Sequence, residues 1–266
     1  MRNPTLVLVA LISVVLGGIM TSERLSAQPP APKKRLLAIG MSEGFQHDSV
    51  TDALVTMYEL GKESGLWDTY IRTDVQLITK QRLEGNAKNL DFFDAIFFMT
   101  TGELPLDEQQ KADFLSFIRD DGKGFLGAHN ATDTFYEWPE FGKLIGGYFD
   151  GHPWNQFEAP ILVHDREFPA TRHFAPRIVV FDEIYQIRDF PRDQVRLLMS
   201  LDMSAVDKSK PGVKHDEVPI AWASQYGKGR VFYCGLGHPP EVWQRPDLRQ
   251  MWTEAVKWTM GLIDSE

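Results

Sequence analysis

Apolar residues along this chain fall into two kinds of run. Short unbroken runs at 35–40 (RLLAIG), 92–100 (FFDAIFFMT) and 124–128 (GFLGA) read as buried strands. Apolar residues without alternation imply strands covered on both faces. Residues 69–73 form a weaker strand. Between these runs the spacing turns helical. Residues 48–64 carry Leu54, Met57, Tyr58 and Leu60, and residues 107–119 carry Phe114, Leu115 and Ile118 on one face. This β-α-β-α-β rhythm predicts a mostly parallel sheet with helices on both faces.

The second half is patterned differently. Residues 141–148 read as a short helix and turn. Residues 159–163, 178–181, 183–187 and 196–200 read as short strands spaced by Pro- and Asp-bearing turns. They predict an antiparallel insertion or an extension of the same sheet. Residues 218–224 and 230–235 form a hairpin across 226–229. A closing helix over 248–260 carries Trp252, Val256 and Trp258. No internal repeat is visible. At the other end, Arg2 precedes an almost wholly apolar stretch over 6–19, and Leu25-Ser26-Ala27 follows. Residues 1–27 therefore read as a secretory signal peptide, 28–34 as a Pro-rich linker, and 35–263 as one α/β domain. The apolar stretch is short against the roughly 20 residues of a spanning helix. An uncleaved anchor is the alternative. The expectation is an exported protein, periplasmic or extracellular, with no membrane contact after cleavage.

Of the 266 residues, 43% are hydrophobic, which is enough for a sizeable core. The formal net charge of -9 argues against a nucleic-acid partner and against polyanionic ligands. The single cysteine, Cys234, excludes an internal disulfide and any CxxC site. Oligomeric state is not legible.

In an open α/β sheet, ligands bind beyond the carboxyl ends of the parallel strands. His47, His129 and His238 each follow a predicted strand there. Either each caps its own strand, or the three share a pocket. Gly127-Ala128-His129-Asn130-Ala131 has the small-residue pattern of a nucleophile elbow, but with an imidazole at its centre. Imidazole suits proton transfer or metal ligation. Asp133 either caps a following helix or orients a histidine. His152, Trp154 and Asn155 in one loop suit a carbohydrate, with an indole face for C–H groups and polar tips for hydroxyls. Tyr136, Trp138 and Tyr148 lie just upstream, either beside that ligand or anchoring the loop. Glu183 and Tyr185 are expected on one face of a strand, with Glu183 as acid, base or surface ion pair. Gly102, which stops the strand at 92–100, and Glu241 complete the candidate substrate contacts. His47, His129, His152, His238 and Glu183 could supply donors for zinc or iron(II), although no compact HExxH signature is present. No cofactor is required by the pattern, and a divalent metal is the one cofactor it permits.

The segments GFQH (44–47), DAIFFMTTGE (94–103), GKGFLGAHNATDTFYEWPEFGKLIGGYFDGHPWNQ (122–156), DEIYQ (182–186), PIAW (219–222) and YGKGRVFYCGLGH (226–238) together resemble the ThuA-like, or trehalose-utilisation, family. The resemblance implies a flavodoxin-like sheet of the class I glutamine amidotransferase type. In that superfamily the elbow holds a cysteine, and a later His-Pro-Glu run supplies histidine and acid. Here the elbow holds His129, and the later run reads His238-Pro239-Pro240-Glu241 with one extra proline. Without the thiol, glutaminase activity is not expected. The resemblance points to catabolism of trehalose-like disaccharides or their 3-keto derivatives by His/Glu acid–base chemistry. A sugar-binding accessory protein and a metal-dependent hydrolase remain as alternatives.

Overall fold

Residues 32–85 and 88–265, together with Met1, are described by a computed structural model. Nearly all of the expected leader and most of the expected linker lie outside the described residues. In chain order the elements are β1 (Lys34–Ile39), α1 (Val50–Ser64), β2 (Trp67–Arg72), β3 (Ala95–Phe98), α2 (Glu108–Arg119), β4 (Gly124–Ala128), α3 (Pro139–Ile145), β5 (Tyr148–Phe149), β6 (Gln156–Val163), β7 (Arg177–Glu183), β8 (Ile187–Arg188), β9 (Arg196–Leu201), β10 (Pro219–Tyr226), β11 (Gly229–Cys234) and α4 (Pro246–Thr259).

Nine strands form one sheet in the order β2-β1-β3-β4-β11-β10-β9-β6-β7. The first five are parallel. The other four join through antiparallel pairs. The parallel half has the flavodoxin-like order, with β11 in the fifth place. The expected fold class is the one observed, and the second half of the chain extends the sheet rather than forming a separate layer.

Side-chain alternation explains why the strands read as unbroken apolar runs. Leu36, Ala38, Ala95, Phe97, Leu126 and Phe232 pack on one face with α1 and α4. Leu37, Ile39, Ile96, Phe98, Phe125 and Val231 pack on the other with α2 and α3. Each fully buried side chain of this size contributes about 1.5–3 kcal/mol relative to exposure. Helix α1 turns Ala53, Leu54, Met57 and Leu60 inward, while Tyr58 is exposed. Helix α2 starts at a capping box between Asp107 and Gln110, which satisfies two otherwise unpaired donors. The hairpin of β10 and β11 closes through Gly227 and Lys228, as the sequence predicts.

One strand differs from expectation. Residues 183–187 do not form a continuous strand, because β7 ends at Glu183. The chain then leaves the sheet. Gln186 accepts from the Asp150 N–H at 2.7 Å and donates to the Gly151 carbonyl at 2.8 Å. Its buried side chain bonds the backbone at Gly212, Lys214 and His215. These partners replace a neighbouring strand, and only Ile187–Arg188 resumes extended pairing, with β5.

Candidate functional site

The chain runs from β1 out to β2 on one side and returns to β3 on the other, so a crevice opens beyond the ends of β1 and β3. The loop after β1 carries His47 into it. That loop is held by the loop after β3: Glu43 N–H donates to the Thr101 carbonyl at 2.8 Å, and Thr101 Oγ1 donates to the Phe45 carbonyl at 2.8 Å. Gly102, at φ +81°, makes the approach possible. A Cβ there would stand 2.6 Å from the Glu43 carbonyl carbon.

Strand β4 delivers His129. This residue has φ +37°, a conformation uncommon outside glycine, and opens a 3-10 turn over His129–Asp133. The sharp strand-to-turn geometry is the elbow its sequence suggests. Its carbonyl is gripped by the Tyr233 hydroxyl at 2.6 Å. On the ring, Nδ1 donates to the Gly235 carbonyl at 2.8 Å, which leaves Nε2 as a lone pair directed at His238 Nδ1.

The loop after β11 delivers His238, and buried Asp182 near the end of β7 fixes its place. Asp182 accepts from the Gly237 N–H at 2.8 Å and the His238 N–H at 3.0 Å. Burial pushes Asp182 up to about 7 against these donors. The same docking brings in the next residue, Glu183. Glu183 Oε2 lies 3.0 Å from His238 Nδ1 and 3.8 Å from His129 Nε2. His238 Nδ1 and His129 Nε2 are 3.2 Å apart. Glu183 Oε1 lies 3.2 Å from His152 Nδ1, without the angle of a hydrogen bond.

The rings of His47, His129 and His238 form a near-equilateral triangle, with centroids 4.9, 5.0 and 5.2 Å apart. His47 Nε2 meets the Tyr185 hydroxyl at 3.1 Å, and its Nδ1 lies 3.3 Å from the Asn130 amide nitrogen. Burial, with the charge of His238, lowers His47 to about 4. Burial, then the charge of His47, lowers His129 well below the ordinary histidine value. His238 moves the other way, raised by its hydrogen bond to Glu183. Burial and the Glu183 charge hold the Tyr185 phenol protonated. Four donors, from His47, His129, Glu183 and His238, lie within 4.8 Å of one another and could hold a metal ion. The cavity in front of them measures about 370 Å³ and is walled by Phe45, Asp133, Phe149, His152 and Tyr185.

The profile of the trehalose-utilisation family, ThuA, matches residues 35–259. The chain belongs to that family. A ThuA-like protein from Bacteroides uniformis superposes with a TM-score of 0.70 at 22% identity, covering 88% of this chain and 94% of that one. A ThuA-like protein from Parabacteroides merdae gives 0.68 at 18% identity, covering 88% and 92%. A cytoplasmic protein from Salmonella typhimurium gives 0.54 at 12% identity, covering 88% and 100%. No curated protein matches the chain.

For this ThuA family member, the sequence-derived site divides in two. The structure brings together His47, His129, His152, Glu183, Tyr185 and His238, and Asp133 joins them at the cavity wall. Asp133 caps no helix. It accepts from the Tyr136 hydroxyl at 2.6 Å, and burial raises its pKa. Glu183 and Tyr185 both reach the cavity, although the strand expected to align them is broken. The structure takes Trp154 elsewhere. Its indole is 5% exposed, belongs to the core, and donates to the Asp207 carbonyl at 3.0 Å. Asn155 and Glu241 are exposed outside the cavity lining. The extra proline sets Glu241 on a 3-10 turn over Pro240–Gln244, and the carboxylate beside His238 is Glu183 instead. Gly102 supports the His47 loop without lining the cavity. Tyr136, Trp138 and Tyr148 anchor their loop to the core. Cys234 is buried, and its thiol is pushed up to about 12, so no activated thiolate stands near the elbow.

Sequence reasoning missed Phe45, Phe149, Asn130 and Asp182. Asn130 follows the elbow histidine directly, and Asp182 precedes Glu183. That adjacency was the available signal. Nothing in their spacing marks Phe45 and Phe149 as cavity walls, because Phe45 lies in a loop and Phe149 in the two-residue strand β5, far apart in the chain.

Proposed function

We propose that this protein is an exported enzyme of carbohydrate catabolism that acts on trehalose-like disaccharides or their 3-keto derivatives by proton transfer. The observation that carries the reading is the convergence of three histidines and Glu183 at the floor of a sugar-sized cavity with aromatic walls. Family membership supports the substrate class. Phe45 is 64% exposed at the cavity mouth, and with Phe149 it offers the flat faces that sugar C–H groups stack on. His152 supplies an imidazole backed by a carboxylate, with its side chain 41% exposed. In a 3-keto sugar the C2–H is acidified by the neighbouring carbonyl. A base there takes the proton, and the electron pair moves onto the carbonyl oxygen as an enolate. Reprotonation gives an isomer or epimer, and expulsion of the C1 oxygen substituent gives elimination. Glutaminase chemistry lacks its nucleophile.

The test is an NMR time course of the purified protein with 3-ketotrehalose, beside trehalose and a protein-free blank. New sugar signals growing faster than the blank are expected. His152→Ala should slow them by about 100-fold or more, the loss typical of a removed acid–base group. Saturable binding without product would replace the enzyme by a sugar-binding protein. Absence of both would remove the disaccharide from the reading.

A further inference from the structure

We propose that His47, His129, His238 and Glu183 hold one divalent transition-metal ion. Three observations carry this. The first is spacing. Tetrahedral bonds of about 2.0–2.1 Å from nitrogen and oxygen place donors roughly 3.4 Å apart. The three donor separations among His129, His238 and Glu183 are 3.2, 3.0 and 3.8 Å. His47 completes the set within 4.8 Å.

The second is proton arithmetic. His129 Nε2 has no hydrogen, because its Nδ1 donates to the Gly235 carbonyl. Glu183 Oε2 is an acceptor as a carboxylate. Both aim at His238 Nδ1, which has at most one proton to give. Two lone pairs therefore compete for at most one hydrogen in a place where unpaired polar atoms are costly. A single cation satisfies both. Among the described residues, no lysine or arginine lines the cavity to do so instead.

The third is support around the donors. A ligating imidazole donates its other N–H to a backbone or carboxylate oxygen, which fixes its tautomer and aim. His129 does this with Gly235. His47 is flanked on its two ring nitrogens by Tyr185 and Asn130. Glu183 and His238 are placed together by Asp182.

Three nitrogen donors and one oxygen favour zinc, cobalt, iron or manganese over magnesium and calcium, which take oxygen. This deepens the sugar reading and rests on it only for the chemistry. A cation there would polarise a carbonyl or hydroxyl entering the cavity. Proton transfer would then belong to His152 and the outer oxygen of Glu183.

The experiment uses purified protein stripped with chelator and contains no sugar. Cobalt chloride is titrated in while the visible d–d bands are followed. One equivalent should bind, zinc should displace it, and magnesium and calcium should not. Glu183→Gln and His238→Gln should each weaken cobalt binding by about 10-fold or more. His152→Ala should bind like the parent. Circular dichroism checks that each variant is folded. The partly exposed His238 position keeps the test valid if replacing Glu183 disturbs packing. No saturable cobalt binding, or equal binding by both folded ligand variants, overturns the metal site. Metal bound without turnover of any disaccharide would overturn the sugar reading alone. Undiminished turnover in stripped protein that binds no cobalt would overturn the metal alone.

Discussion

Gly102 shows how one residue without a side chain positions another with chemistry. Its φ of +81° and the 2.6 Å approach to Glu43 leave no room for a methyl group. The obstructing atoms are backbone and cannot swing aside, and they belong to the loop that carries His47. Gly102→Ala is expected to destabilise the fold by about 1–3 kcal/mol, the range for a forced backbone conformation. It should also reduce sugar turnover through His47. Thermal unfolding beside the NMR assay checks both, and an unchanged midpoint would refute the packing argument. Trp154 teaches the converse. A tryptophan beside a histidine in a glycine-bearing loop reads as a ligand platform. Burial decided otherwise, because the indole found a backbone acceptor inside the protein and the exposed ring at the cavity is Phe45.

Between elements, Asp94 ties the amino-terminal ends of three neighbouring strands. It stands just before β3, accepts from the Arg35 N–H of β1 at 3.0 Å, and pairs with Lys123 beside β4 at 3.0 Å. Burial alone would raise its pKa. The Lys123 hydrogen bond and charge, the Lys34 charge and the Arg35 N–H outweigh burial and lower it. A lowered folded pKa stabilises the native state fully above the unfolded value of about 3.9, and the contribution disappears as pH falls through the folded value. Asp94→Asn should therefore cost roughly 1–2 kcal/mol at neutral pH. The gap from the parent should close in acid. Urea unfolding of both proteins at pH 7 and near pH 3 measures this, and an equal gap at both values would rule the charge out. At this scale the sequence was a good guide. The unbroken apolar strands, the helical spacings and the glycine-bearing hairpin each follow from local rules. The segment after Glu183 did not, because its backbone partners lie in loops far away in the chain.

For the whole molecule, residues 33–265 form one compact unit. Among the described residues no helix is long and apolar enough to cross a membrane. We infer export from the apolar stretch and small residues of 1–27. Protein produced with its leader in a Gram-negative host should be recovered from the periplasm with Gln28 at its amino terminus. Mass spectrometry of the purified protein checks this, and a retained Met1 would favour the anchor.

The order of strands and helices, the covered parallel sheet, the elbow at His129 and most of the site histidines were written in the sequence. Each depends on local spacing, and strand ends in a parallel sheet point to one side. What only the tertiary structure decided is which carboxylate meets those histidines. Glu241 is three residues from His238 and faces solvent, whereas Glu183 is more than fifty residues away and touches it. Asp182 makes the difference by binding two backbone N–H groups of the His238 loop, a contact with no periodicity to announce it. The cavity walls arise the same way, from loops that meet only after the sheet has formed.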